Sequence, residues 1–119
     1  MLSIAPNSKV YLSLSSVDFR KQINGLKKWV QSEFELNPFS SAYFFFISRN
    51  KKSIKVLHFD GQGLCLYHKR LSEGKFKWWD AIHNLSQPYM KIPSISSQVI
   101  LMNGSIQKLQ LQENWKEIE

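Results

Sequence analysis

Between positions 42 and 79 the chain is a succession of short aromatic and β-branched runs separated by turn-forming tetrads, and this alternation constrains the fold more than any other feature. Residues 42–49 read as a buried strand, and residues 50–53 make a lysine-bearing turn. Residues 54–59 then return antiparallel. Asp60-Gly61-Gln62-Gly63 supplies hairpin chemistry, with two glycines able to take positive φ. Residues 64–71 form the next strand, and Ser72-Glu73-Gly74 turns the chain into a last run at 75–79. Runs joined by such short turns predict an antiparallel meander with one face buried.

Upstream, Val10, Leu12 and Leu14 alternate with Tyr11 and Ser13, which predicts a first strand over 10–14. Ser15 or Ser16 then caps a helix over 17–34, with Asp18 in its first turn, where an acid is favoured. On a helical projection Phe19, Ile23, Leu26, Val30 and Phe34 share one face with Trp29 at its margin. Arg20, Lys21, Lys27 and Lys28 lie on an adjoining basic arc. Asn37-Pro38 stops the helix. Near the other terminus, Pro88 and Pro93 punctuate a polar stretch before a short helix at 96–102, and 106–111 can add a strand. The expected fold is α+β: an antiparallel meander sheet of about four to five strands packed on one long N-terminal helix, with a short C-terminal helix. One domain over 1–119 is expected, with its core at 9–104 and a tail at 105–119.

With 43% apolar and 21% charged residues, the composition is that of an ordinary folded protein. No apolar run reaches the roughly 20 residues needed to span a bilayer, and residues 1–9 lack the features of a secretory signal. The expectation is a soluble cytoplasmic protein without membrane attachment. A single cysteine, Cys65, excludes an internal disulfide and suits a reducing compartment.

The net charge of +7 is unevenly placed: residues 1–79 hold 13 basic and 5 acidic side chains, whereas residues 80–119 hold 3 and 4. Alternate turns of a meander lie at the same end of the sheet. Arg49, Lys51, Lys52, Lys55, Lys69, Arg70 and Lys75 should therefore gather at one end, with Asp60 at the other. Pairing about Gln62 sets Lys55 opposite His68, with Arg70 nearby, and sends Lys69 to the other face. Converging like charges repel, so such a cluster favours a polyanion partner over a merely solvated face. The helix arc, through Arg20 and Lys21, is a candidate extension.

Chemistry-bearing constellations are sparse. His58 and His68 fall on opposite faces, so with the distant His83 they assemble no metal site. The scattered acids of the basic region do not make a two-metal nuclease centre. Cys65 reads as a packed thiol, and Asp60-Gly61-Gln62-Gly63 as a hairpin turn rather than a calcium loop. No catalytic residue, cofactor or small-molecule substrate is expected. Trp78 and Trp79, beside Lys75 and Lys77, suit either base stacking or a partner contact.

At these residues the chain resembles the small TnpB-type accessory proteins, the second-open-reading-frame products, of insertion sequences of the "sixty-six" family. The likeness runs through Asp18, Arg20, Lys21, Ile23, Gly25 and Leu26, through the Pro38-Phe39 entry into an aromatic strand, and through Ile54, Lys55, Asp60, Gly61, Gly63, Cys65, Lys69, Arg70, Leu71, Gly74 and Phe76. Gln22, Phe59 and Trp79 depart from the family pattern. The resemblance implies a bacterial mobile-element protein that assists a separate transposase. Joined to the charge distribution, it yields an expected non-enzymatic DNA-binding factor whose partners are DNA, as element ends, the transposase and other element-encoded proteins. Arg49, Lys51, Lys52, Lys55, Lys69, Arg70, Lys75 and Lys77 are the candidate phosphate contacts, with Arg20 and Lys21 secondary. The alternative is an adaptor that docks on the transposase through Trp78 or Trp79 without touching DNA.

Overall fold

A computed structural model describes residues 2–76, 88–94, 96, 97 and 100. Its elements in chain order are β1 (Val10–Ser13), α1 (Ile23–Ser32), β2 (Tyr43–Ile47), β3 (Ser53–Phe59), β4 (Leu64–Arg70) and β5 (Tyr89–Ile92). The strands form one sheet in the order β4-β3-β2-β1-β5.

This sheet is mixed, which corrects the antiparallel meander expected from the turns. β2, β3 and β4 are joined as antiparallel hairpins. β1, however, lies parallel to β2, with Val10 beside Tyr43 and Leu12 beside Phe45. β5 pairs antiparallel with the free side of β1. A connection long enough to carry a helix brings the next strand back parallel, and turn chemistry says nothing about such a partner. The fourth meander strand is also absent at its start: Lys75 and Phe76 lie outside any strand, and the rest of 75–79 lies outside the described residues.

The helix is short, at ten residues, rather than spanning 17–34. Asp18 is the cause. Its carboxylate accepts the Arg20 N–H at 2.9 Å and its carbonyl accepts the Lys21 N–H at 3.0 Å, so the chain makes a local turn where a helical turn was expected. Extended Gln22 then occupies the N-cap without a side-chain bond, so neither Ser15 nor Ser16 caps α1. At the other end Glu35 is left-handed (φ 55°), and the Leu36 N–H donates to the Val30 carbonyl at 3.1 Å, closing the helix before Asn37-Pro38.

β5 occupies the polar stretch between Pro88 and Pro93, for which no element was expected. Proline is tolerated at the ends of an edge strand, and here Pro88 and Pro93 bound the element. The Pro88 carbonyl still accepts the Leu14 N–H at 3.1 Å. Beyond β5, Ser94, Ser96, Ser97 and Ile100 are helical, so this turn begins before the expected position 96. The strand proposed at 106–111 lies outside the described residues.

Both faces of the sheet are covered. On one, Leu26, Val30 and Phe34 pack with Phe44, Phe46 and Leu57, and Phe19, Ile23 and Trp29 close the margin. On the other, Val10, Leu12, Phe45, Val56 and Ile92 pack beneath Ile4, Phe76 and Ile100. The five consecutive buried residues of β2, Tyr43-Phe44-Phe45-Phe46-Ile47, follow from this two-sided burial, since neither face needs a polar side chain.

At the β3–β4 hairpin the Asp60 carboxylate accepts the N–H groups of Gln62 and Gly63, each at 2.9 Å, and Gly61 takes φ 94°. A side chain at Gly61 meets no neighbour, so the φ angle alone decides the outcome of substitution. Gly61→Ala is expected to destabilise the fold by about 1–2 kcal/mol, read as a lower urea midpoint at unchanged m.

Candidate nucleic-acid interface

Three separate segments meet at the end of the sheet opposite Asp60. The Val17 N–H donates to the Ile47 carbonyl at 3.0 Å, tying the chain before α1 to the exit of β2. The N–H groups of Leu71 and Phe76 donate to the carbonyls of Lys52 and Lys51, each at 2.8 Å, laying the exit of β4 along the β2–β3 turn. Arg20, Lys21, Arg49, Lys51, Lys52, Lys69, Arg70 and Lys75 are thereby carried to neighbouring backbone.

The β2–β3 turn is knitted internally. The Ser48 hydroxyl donates to Asn50 Oδ1 at 2.8 Å and accepts the Ser53 N–H at 3.1 Å, while Asn50 Oδ1 also accepts the Lys52 N–H at 3.1 Å. Lys51 is left-handed (φ 66°), a conformation costly for a lysine and enforced here by these bonds. Arg49 and Lys52 are exposed on this turn, as are Arg70 and Lys75 beside it. Register places Lys55 opposite His68 and Ser53 opposite Arg70 on the helix-covered face, and Lys69 opposite Ile54 on the other, as the pairing about Gln62 requires.

Lys55 departs from the expected set. It is only 2% exposed, and its ammonium donates to the carbonyls of Phe19 at 3.0 Å and Lys21 at 2.8 Å, with the Phe19 ring 5.0 Å away. Burial pulls its pKa down. It holds the turn before α1 against β3 and is withdrawn from the candidate phosphate contacts. Its place was readable in the period-2 pattern: Lys55 shares a face with Leu57 and stands opposite Phe46, both beneath α1.

Arg20 and Lys21 flank that turn. Arg20 grips Asp18 with Nε at 3.0 Å and Nη2 at 2.7 Å from Oδ2, while its side chain remains 91% exposed. The Arg20 guanidinium, then the Arg20 N–H, hold the Asp18 carboxyl well below the usual carboxylate range. A depressed folded pKa stabilises fully above the ordinary value of 3.8 and is lost as the pH falls from there through the folded value. Lys21 runs along the face of α1: a Cβ on Gly25 would sit 3.1 Å from Lys21 Cβ, and the Lys21 ammonium lies 5.7 Å from the Trp29 ring centre.

Residues 17–20 on one side and 48–50 on the other enclose an open groove of about 630 Å³. Arg20 and Arg49 are both among its lining residues. This joins the pre-helix turn to the β2–β3 turn, a contiguity that linear sequence does not convey.

His68 packs edge-on against Phe19, ring centres 5.7 Å apart. Burial, then the charges of Lys55 and Arg70, lower its pKa below the usual 6.5. The folded state thus disfavours the imidazolium, and stability rises with pH from the depressed value up to about 6.5. In His68→Phe that increment of thermal midpoint should vanish from a pH series covering this window.

Cys65 is exposed rather than packed, with Sγ 3.5 Å from Asp60 Oδ2, because β4 is an edge strand. His58 stacks on Tyr43 at 3.9 Å, on the face away from His68. Among the described residues no group of three or more His, Cys, Asp or Glu could hold a metal ion, and no helix is long and apolar enough to cross a membrane. Lys77, Trp78, Trp79 and His83 lie outside the described residues.

A family model described as "IS66 Orf2 like protein" matches residues 8–110. The chain is also similar to two uncharacterized proteins of Sinorhizobium fredii (strain NBRC 101917 / NGR234). With y4hO it shares 37% identity over 78 residues, 66% of this chain and 68% of that one. With y4jC it shares 29% over 76 residues, 64% and 65% of the two chains. No solved structure matches.

Proposed function

The chain belongs to the IS66 Orf2-like family of insertion-sequence accessory proteins, and from that premise we propose that it is a non-catalytic DNA-binding factor assisting a separate transposase in the bacterial cytoplasm. The observation that carries this reading is the meeting of residues 17–21, 48–52 and 69–75 at one end of the sheet, tied by three backbone hydrogen bonds. Arg20, Lys21, Arg49, Lys51, Lys52, Lys69, Arg70 and Lys75 contact phosphates, displacing counterions from the DNA. Such contacts position a protein without reading sequence, so recognition of element ends falls to base contacts or to the transposase. Binding to duplex DNA across a salt series tests the proposal: the association constant falls steeply with salt, and absence of binding at low salt defeats it.

The exposed Asp18–Arg20 pair makes a second expectation. A surface ion pair is readily exchanged. Asp18→Asn keeps an oxygen for the Arg20 N–H but releases the guanidinium and removes a negative charge from the rim. DNA binding at low salt should tighten several-fold in a gel-shift series, with the salt slope unchanged because Arg20 already counts among the phosphate contacts.

A further inference from the structure

We propose that the groove between residues 17–20 and 48–50 seats one unpaired nucleotide, so that the protein prefers single-stranded or frayed DNA to closed duplex. This rests on the DNA-binding reading and narrows its substrate. Flat phosphate contacts need no groove, yet here an open one of about 630 Å³ is lined by two arginines. The composition of the walls suits the parts of a nucleotide. Arg20 and Arg49 both line the opening, and guanidinium is the group matched to phosphate in two-point contact, Arg20 by exchanging Asp18 for it. Half-buried Phe19 gives one side an apolar portion against which a base can lie, and the amide nitrogen of exposed Asn50 adds a donor able to meet its edge.

The groove is also built rather than incidental. Lys55 pins the carbonyls of Phe19 and Lys21 from beneath, and the bonds of Ser48 and Asn50 fix the opposite wall. Arg49, exposed and without a hydrogen bond or ion pair among the described residues, is free to close on a phosphate. A base in duplex is stacked and paired and cannot enter such a recess, whereas an unpaired base presents its face and edge together.

The test compares three labelled probes by fluorescence anisotropy at one low salt concentration. They are a short single-stranded oligonucleotide, a blunt hairpin duplex of the same sequence, and an abasic phosphodiester strand of the same length. The single strand should bind about tenfold or more tighter than both others, the size expected from seating one base. Arg49→Ala, with its urea midpoint unchanged, should remove most of that preference while leaving residual salt-dependent binding. Equal binding of all three probes, or a preference that survives Arg49→Ala and Arg20→Ala, overturns the groove assignment and leaves the phosphate-binding rim standing. Failure of every probe to bind at low salt overturns both.

Discussion

Lys55→Met is expected to cost the fold about 2–4 kcal/mol, read from the urea midpoint. Methionine matches the length and apolar stem of lysine and removes the charge whose burial opposes folding, so a gain is the simple expectation. The partners decide otherwise. When a buried ion pair is replaced whole, no polar group is left behind, but here the carbonyls of Phe19 and Lys21 remain after the ammonium has gone. Each acceptor loses a charge-assisted bond worth about 1.5–3 kcal/mol, which outweighs the recovered desolvation. The loss should centre on the turn before α1, so amide exchange there should accelerate more than in β2. An unchanged midpoint would show that water satisfies those carbonyls and that Lys55 does not hold the turn.

Arg49→Ala, Lys52→Ala and Arg70→Ala combined should weaken duplex binding by about 10²–10³-fold near 0.1 M salt and flatten the salt slope by about 2.7, three contacts at about 0.9 each. All three side chains are exposed, so the urea midpoint should stay within about 1 kcal/mol of the parent. Lys91→Ala, set against Arg49→Ala alone, is the control for a single lost charge: Lys91 is exposed on β5, at the edge of the sheet opposite β4. Equal weakening by Lys91→Ala would mean that net charge, not the rim, drives association. No effect from the triple variant would place the DNA contacts on another part of the chain.

The features legible in the sequence are those that depend on local period and on tight turns. The pairing of Lys55 with His68 follows from counting residues about Gln62, and the nearness of the β2–β3 turn to the exit of β4 from the alternation of hairpin turns. The apolar set Phe19, Ile23, Leu26, Val30 and Phe34 was likewise readable, although the helix proved shorter. Other features depend on long-range choices that period does not encode. Nothing in Val10-Tyr11-Leu12 specifies a parallel neighbour, and nothing in Tyr89-Met90-Lys91-Ile92 names β1 as its partner. At Asp18 two favourable uses of one carboxylate competed, a helix start and a side-chain turn, and Arg20 tipped the outcome to the turn. The charge of Lys55 suggests a surface contact, yet its place on the face of Leu57, opposite Phe46, buries it beneath the turn before α1.

The order β4-β3-β2-β1-β5 also bears on synthesis. β1 leaves the ribosome first, yet its two neighbours arrive much later, and its last ladder closes only when Ile92 is available. Until then a nascent chain holds an apolar strand, Val10 and Leu12 included, with one flank unzipped. Pairing between residues so far apart in sequence is intrinsically slow, and an open flank of this kind invites capture by another polypeptide. Release of a ribosome-stalled chain cut short of β5 should therefore yield aggregates, whereas the full chain stays dispersed.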